Sequence, residues 1–435
     1  MLNATFAAPD LTTFCNLDDL GLTVTGQRID ADRAVLECRV AVIDDVCHGC
    51  GDRARSLGTQ SRFLAHEPFG CRPTTLLVRV RRYRCEPCGR FWLDDLRAAA
   101  DPRAKISRGG LAWALRALVV DHLSVSRIAA GLGVAWNTAN DAVLTEGHRQ
   151  LINDPTRFDG IAVIGVDEHV WRHTRFGDEY VTVIIDLTPV RDRVGPARLL
   201  DMIPGRSKAV FKTWLSERSK AWADGIETIA MDGFAGFKTA AAEELPTATA
   251  VMDPFHVVRL AGDALDQCRR RIQQAIHGHR GHAGDPLYMS RRILHTGLEF
   301  LTERQWDRLD ALFDADDHAE VEVTWAAYQR IITAYRHPDR AAARADFTAL
   351  IESLRTGVPA ALVELRQLGR TLNNRKSDVL AYFDRPGTSN GPTEAINGRL
   401  EHLRGSALGF RNLTHYIARS LLEAGGFRPL LQPHL

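Results

Sequence analysis

At 435 residues, with 45% hydrophobic and 25% charged side chains, the chain has the composition of a folded globular protein of two to four domains rather than a fibrous or disordered one. No run approaches the roughly 20 apolar residues of a membrane span, and Met1 to Asp10 lack the basic start of a secretory leader. A cytoplasmic protein with no membrane partner and with reduced thiols is therefore expected, and the net charge of +1 excludes a uniformly basic nucleic-acid binder while averaging over local arginine clusters.

Residues 1–40 give strand signals around Leu22 to Val24 and Val35 to Val42 and no recognisable function. Residues 41–100 read as a zinc ribbon. Cys47-His48-Gly49-Cys50 and Cys85-Glu86-Pro87-Cys88 are two CxxC knuckles, each followed by glycine. The two-residue gap lets both sulfurs of a knuckle reach one ion, and four thiolates suit tetrahedral zinc in a structural role. The 34 intervening residues exceed the usual ribbon spacing, which implies a longer loop. Cys71 and His48 are substitute ligand candidates, whereas Cys15, Cys38 and Cys268 read as buried core residues. Arg79, Arg81, Arg82, Arg84 and Arg90 crowd this segment, and Arg81, Arg82 and Arg84 are candidates for DNA phosphates.

Residues 101–155 read as a helix-turn-helix. Ala129 precedes Gly133 by four positions, with Ile128, Leu132, Val134 and Ala139 at core spacing. The small Ala129 permits a close helix crossing and Gly133 supplies the turn, so the second helix is expected to present Trp136, Asn137, Thr138 and Asn140 to a DNA major groove.

Short apolar runs at Ile161 to Val166, Tyr180 to Ile185 and Ile226 to Met231 then alternate with helical patterns, which makes residues 156–254 a mixed α/β segment. Asp167 and Asp232 stand immediately after two of these runs, so each is expected at the end of a buried strand. Two carboxylates converging at a sheet edge repel unless a cation neutralises them, and hard oxygen donors select magnesium or manganese. Residues 255–385 are helical: Tyr328, Ile331, Ile332 and Tyr335 share one face, as do Phe347, Leu350, Ile351 and Leu354. The final segment, 386–435, offers a third acid at Glu394, two residues after Pro392 in a first helical turn. Two ions roughly 4 Å apart on such a trio would serve in-line displacement at a phosphate. Asp186, Glu168 and Glu401 are rival acids by position alone.

Gly165 to His169, Met231 to Phe237, Asp253 to Val258 and Ser389 to Gly398 resemble the successive blocks of the ISL-three family of bacterial insertion-sequence transposases, and the resemblance extends from the ribbon to Arg411. It implies an RNase H-like catalytic domain with a large all-helical insertion, Asp167, Asp232 and Glu394 as the acidic triad, terminal inverted repeats and target DNA as substrates, and at least a homodimer on DNA. Asp253 and His256 resemble an acid-x-x-His element of related transposases; the alternative makes Asp253 an N-cap and His256 a helix-face residue. Arg399 and Arg404 are phosphate candidates or solvated charges. A DNA-binding regulator would need only the ribbon and helix-turn-helix, and an RNase H-like nuclease would cut without joining.

Overall fold

The structure, a computed structural model, describes residues 10–432 apart from Cys71, Arg280 and Pro386. It is a mixed α/β chain with two mixed sheets and many helices. Two units are distinct: residues up to Pro155 together with those from His402 onward, and Thr156–Glu401. The division falls inside the Gly391–Ser406 helix, so residues 386–435 contribute to both units.

In the first unit the segment left without a role by sequence supplies two strands, β1 (Leu22–Ile29) and β2 (Ala34–Val40), paired antiparallel. β2 runs parallel to β4 (Arg72–Arg84), which pairs antiparallel with β3 (Arg55–Phe69) and with the short β5 (Phe91–Leu93). Side chains alternate across the sheet, and Leu36, Cys38, Val40, Leu64, Leu76, Val78 and Val80 share one buried face. Each fully buried large aliphatic contributes roughly 1.5–3 kcal/mol. The spacer between the knuckles is thus the β3–β4 hairpin and not a long loop. It turns at Gly70 (φ 62°) and returns so that Arg55 pairs with Arg84, which leaves the residues on either side of the hairpin base together.

Three helices follow. Ser107 caps Arg108–Val119 by accepting the Gly110 N–H, and Ser124 caps Val125–Leu132 by accepting that of Arg127. Gly133, left-handed at φ 65°, ends the second helix, and Trp136–Gly147 begins three residues later. Ile128, Ala129, Leu132, Ala139 and Val143 are buried in one cluster, joined by Ala418 and Leu422 of the Leu413–Ala424 helix.

In the second unit five strands lie in the order β10-β9-β6-β7-β8, with β6 spanning Val163–Thr174, β7 Gly177–Asp186, β8 Arg198–Pro204, β9 Thr228–Met231 and β10 Thr249–Met252. β6, β9 and β10 are parallel neighbours, whereas β7 runs antiparallel to β6 and β8. The continuous apolar runs match strands buried on both faces. Between Pro254 and Asp384 the elements among the described residues are all helices, packed around a core of their own. Tyr328, Ile331, Ile332, Phe347, Leu350, Ile351 and Leu354 are buried there, as their spacing requires, and Tyr335 packs against them partly buried. Arg271 ties three of these helices together, 2.6 Å from Glu320 and 2.8 Å from Glu364. Among the described residues no helix is long and apolar enough to cross a membrane.

Candidate active site

The parallel register of β6 and β9 pairs Val166 with Met231, so the next residue on each strand, Asp167 and Asp232, stands at the same edge. The two carboxylates differ from the expected pair of strand ends. β9 does stop before Asp232, but β6 runs on to Thr174 against β7, and Asp167 faces Val183 in mid-strand where pairing with β9 ends. Asp232 is buried, and one oxygen accepts the Phe234 N–H at 2.8 Å, bending the chain into the Ala235–Glu244 helix.

Glu394 lies in the first turn of Gly391–Ser406 with its side chain exposed, and the start of that helix is fixed by three contacts. The carbonyl of Asn390 accepts the N–H groups of Thr393 and Glu394. The buried Asp253 accepts the N–H of Phe255 at 3.1 Å and that of Asn390 at 2.7 Å, so it caps its own helix and also tethers the Glu394 segment, 137 residues further along the chain. Burial pushes the Asp253 carboxyl up, and the Asn390 N–H opposes that. Gly165 on β6 makes the third contact: a Cβ there would come 2.8 Å from Oγ1 of Thr393 and 3.3 Å from Oδ1 of Asn390, so only glycine lets the helix start approach this close.

One residue that the sequence reading missed completes the geometry. Asn397, one turn beyond Glu394 and therefore on its face of the helix, donates Nδ2 to Oδ2 of Asp167 at 3.0 Å, while Oδ1 of Asp167 accepts the Glu168 N–H at 2.8 Å. The spacing of three was the available signal. Arg375 adds a link to the turn after Asp232, donating to the Gly233 carbonyl at 3.0 Å while paired with Asp378.

The carboxylates sense one another. Burial pushes Asp167 up to about 7, and the charges of Asp232, Glu168 and Glu394 act in the same direction against the stabilising Glu168 N–H. Among the described residues Oδ1 of Asn390 and Oγ1 of Thr393, against Gly165, and Oδ1 of Asn397, whose Nδ2 meets Asp167, are buried without hydrogen-bond partners. Carboxylates and oxygen acceptors are the donor type that suits a hard divalent cation, but among the described residues only the four cysteines bring three or more His, Cys, Asp or Glu ligand atoms within 4.8 Å of one another, so Asp167, Asp232 and Glu394 share a neighbourhood without being gathered to that distance.

The rival acids have other partners. Asp186 holds Arg198 at 2.8 Å and the Thr188 N–H at 2.9 Å; Glu168 pairs with Arg206 at 3.2 Å, and Glu401 lies 3.9 Å from the buried His169. His256 is half-buried beside Asp253, and Arg399 is exposed on the Glu394 helix.

In the first unit the four knuckle sulfurs gather within 4.8 Å of one another, with Cys47 to Cys88 at 3.4 Å and Cys50 to Cys85 at 3.3 Å. Four thiolates about 2.3 Å from one zinc ion would be spaced only slightly wider. Gly51 and Gly89, at φ 78° and 69°, close the two knuckles by donating to the carbonyls of Cys47 and Cys85. The Gly49 and Cys50 N–H groups lower the Cys47 thiol to about 6. His48 bonds Asp44 at 2.8 Å instead of joining the sulfurs, and Cys71 lies outside the described residues. Cys15, Cys38 and Cys268 are buried in the cores.

Of the residues expected to face DNA, Trp136 and Asn137 are exposed and Thr138 is half-buried. Asn140 is not outward: it shares the inner face of its helix with Ala139, Val143 and Leu144 and is 3% exposed, because helical phase carries it round to the core. Arg82 and Arg84 are exposed, but Arg81 is held at home, 3.4 Å from the buried Asp94 and donating to the Val40 carbonyl at 2.9 Å.

Comparison with known proteins gives one consistent result. The profile of a transposase family, the ISL3 group of DDE enzymes, matches residues 164–420. The transposase for insertion sequence element IS1557, in two strains of Mycobacterium tuberculosis, is 26% identical over 319 residues, covering 68% of this chain and 68% of its own length. A Drosophila P element transposase in a strand transfer complex is 10% identical over 72% of this chain and 90% of its own, with a TM-score of 0.41, too low to bear on the fold.

The close approach at Gly165 has a direct test in thermal unfolding. Gly165→Ala is expected to cost about 1–3 kcal/mol and lower the midpoint by several degrees. Gly398→Ala, on the Gly391–Ser406 helix that Gly165 packs against and with nothing within 4 Å of the added methyl, is expected to leave the midpoint unchanged or raise it. Equal midpoints for the two variants would contradict the packing described.

Proposed function

This chain belongs to the ISL3 family of DDE transposases and is a metal-dependent DNA transposase, and on that premise we propose how its parts divide the work. Asp167, Asp232 and Glu394 are the catalytic acids, and they hold two divalent ions, magnesium or manganese. The strand order β10-β9-β6-β7-β8, with only β7 reversed among β6 and its neighbours, supports an RNase H-like catalytic fold spanning 156–254 and resumed at 386, with 255–385 as its helical insertion. The observation that carries the reading is geometric: the parallel register of Val166 with Met231 sets Asp167 and Asp232 at one sheet edge, 65 positions apart in sequence, and Asn397, one turn beyond Glu394, bonds Asp167 at 3.0 Å.

When bound, such ions would activate a water or DNA 3′-hydroxyl and neutralise the departing oxygen in an in-line displacement at phosphorus. The chain's own contribution is preorganisation. Asn397 and the Glu168 N–H fix both oxygens of Asp167, and Asp253 and Gly165 fix the helix that carries Glu394. Asp253 is thus a positioning residue, and Asn397 is another.

The four-cysteine cluster holds a structural zinc ion and fixes the base of the β3–β4 hairpin, within a ribbon spanning 41–100. With the helix-turn-helix of 101–155, through Trp136, Asn137, Thr138, Arg82 and Arg84, it binds the terminal inverted repeats of an insertion sequence in the cytoplasm, and target DNA enters the same complex. Pairing two ends requires at least a homodimer. Arg399 lies near enough in sequence to Glu394 to meet a phosphate of the bound strand.

Cleavage of labelled element ends tests the triad. Asp167→Asn, Asp232→Asn and Glu394→Gln are each expected to lose about a thousandfold or more in rate, several kcal/mol of charge stabilisation, with end binding intact. Asn397→Ala should fall between these and the parent and demand more metal. Full cleavage by any triad variant would remove that residue from the reading, and hydrolysis without joining to a target plasmid would favour a nuclease.

Elemental analysis tests the cysteine site. One zinc per chain is expected, lost in Cys50→Ser together with end binding, while metal-supplemented hydrolysis of nonspecific DNA by the second unit's residues persists. Zinc retained by Cys50→Ser would contradict the assignment.

A further inference from the structure

The second unit carries a cleft whose charge the chemistry above does not use. The Pro254–His277 helix contributes Asp266, Arg269 and Arg270, and the Pro286–Ser290 helix with the turn after it contributes Tyr288, Arg291, Arg292 and His295 to a space of about 500 Å³. Four guanidiniums face one carboxylate. Asp266 is shared, with Arg269 at 3.1 Å, Arg270 at 3.2 Å and His295 at 3.6 Å, and the His295 hydrogen bond, foremost, together with Arg269 holds it down to about 2. Arg291 and Arg292 pair with no carboxylate among the described residues.

The cleft is also stiff. Arg269 is buried and bonds Gln273 as well as Asp266, and Arg291 lies over the Tyr288 ring at 4.1 Å while donating to the Tyr288 carbonyl at 2.8 Å. Arg271, which follows Arg269 and Arg270 in the chain, behaves differently: it is neutralised by Glu320 and Glu364. Such a surplus is conspicuous in a chain whose net charge is +1, where 55 basic residues face 54 acidic ones. Guanidiniums cannot shed their charge and match phosphate oxygens in pairs. A recess, unlike a protruding helix, receives a backbone and does not enter a groove.

We propose that this arginine cleft grips the phosphodiester backbone of duplex DNA without regard to base sequence, as a second DNA contact on the helical segment. The proposal rests on the transposase reading but not on the triad. Its measure is salt dependence, because each phosphate contact steepens the logarithmic dependence of affinity on salt by about 0.9. The double variant Arg270→Gln, Arg292→Gln is expected to flatten that slope by about two for an element end and for a short duplex of arbitrary sequence alike. Arg292→Gln alone should flatten it by about one, and Arg292→Lys should restore most of it. An unchanged slope in the folded single and double variants would overturn the proposal. So would binding of ATP in a calorimetric titration that the variants lose while duplex affinity stays intact. A parent protein that binds no duplex at all would instead overturn the transposase reading, whereas parental duplex binding with an unchanged slope in the variants overturns the cleft alone.

Discussion

The structure of the second unit turns on one electrostatic problem, which is how to hold three carboxylates close enough to repel. They come from two parallel strands and from a helix far along the chain. Left alone, like charges at a sheet edge would splay apart or take up protons; burial raises Asp167 to about 7, and the charges of Asp232, Glu168 and Glu394 add to that rise. What holds their carriers in place is a set of hydrogen bonds and one close packing contact around the start of the Glu394 helix. Asp253 binds the Asn390 N–H, Gly165 leaves room for Thr393 and Asn390, and Asn397 clamps Asp167.

The first unit solves a different assembly problem with the same economy. Two cysteine pairs separated by 34 residues must meet, and a twisted antiparallel hairpin brings them together without a long closed loop. The sheet that results draws in β1 and β2 from residues that carry no chemistry, because a two-stranded hairpin alone is marginal in water and needs further strands with a shared apolar face.

Local patterns were legible in the sequence and long-range ones were not. An apolar run followed by an acid marked Asp167 and Asp232, paired CxxC motifs marked the sulfurs, and the spacing of Ala129 to Gly133 marked the helix turn. β4 alternates Val78-Arg79-Val80-Arg81 and could have been read as a strand, but β3 is largely exposed and polar, so its pairing depends on tertiary context. Asn140 was misplaced because polarity was read in place of helical phase: Val143 and Leu144, three and four residues on, set its face. Arg81 looked like a DNA contact until Asp94, buried 13 residues away, claimed it. The hydrogen bond that Asp253 accepts from the Asn390 N–H joins residues 137 positions apart, and no local rule exposes such a link.

The most direct measurement is manganese binding to the folded chain without DNA, followed by titration calorimetry or by the ion's paramagnetic relaxation. The account predicts saturable binding that Asp167→Asn, Asp232→Asn and Glu394→Gln each weaken while the thermal midpoint holds or rises, since each removes like-charge repulsion. Binding of parental strength in all three variants would mean that the carboxylates do not form a common cation site.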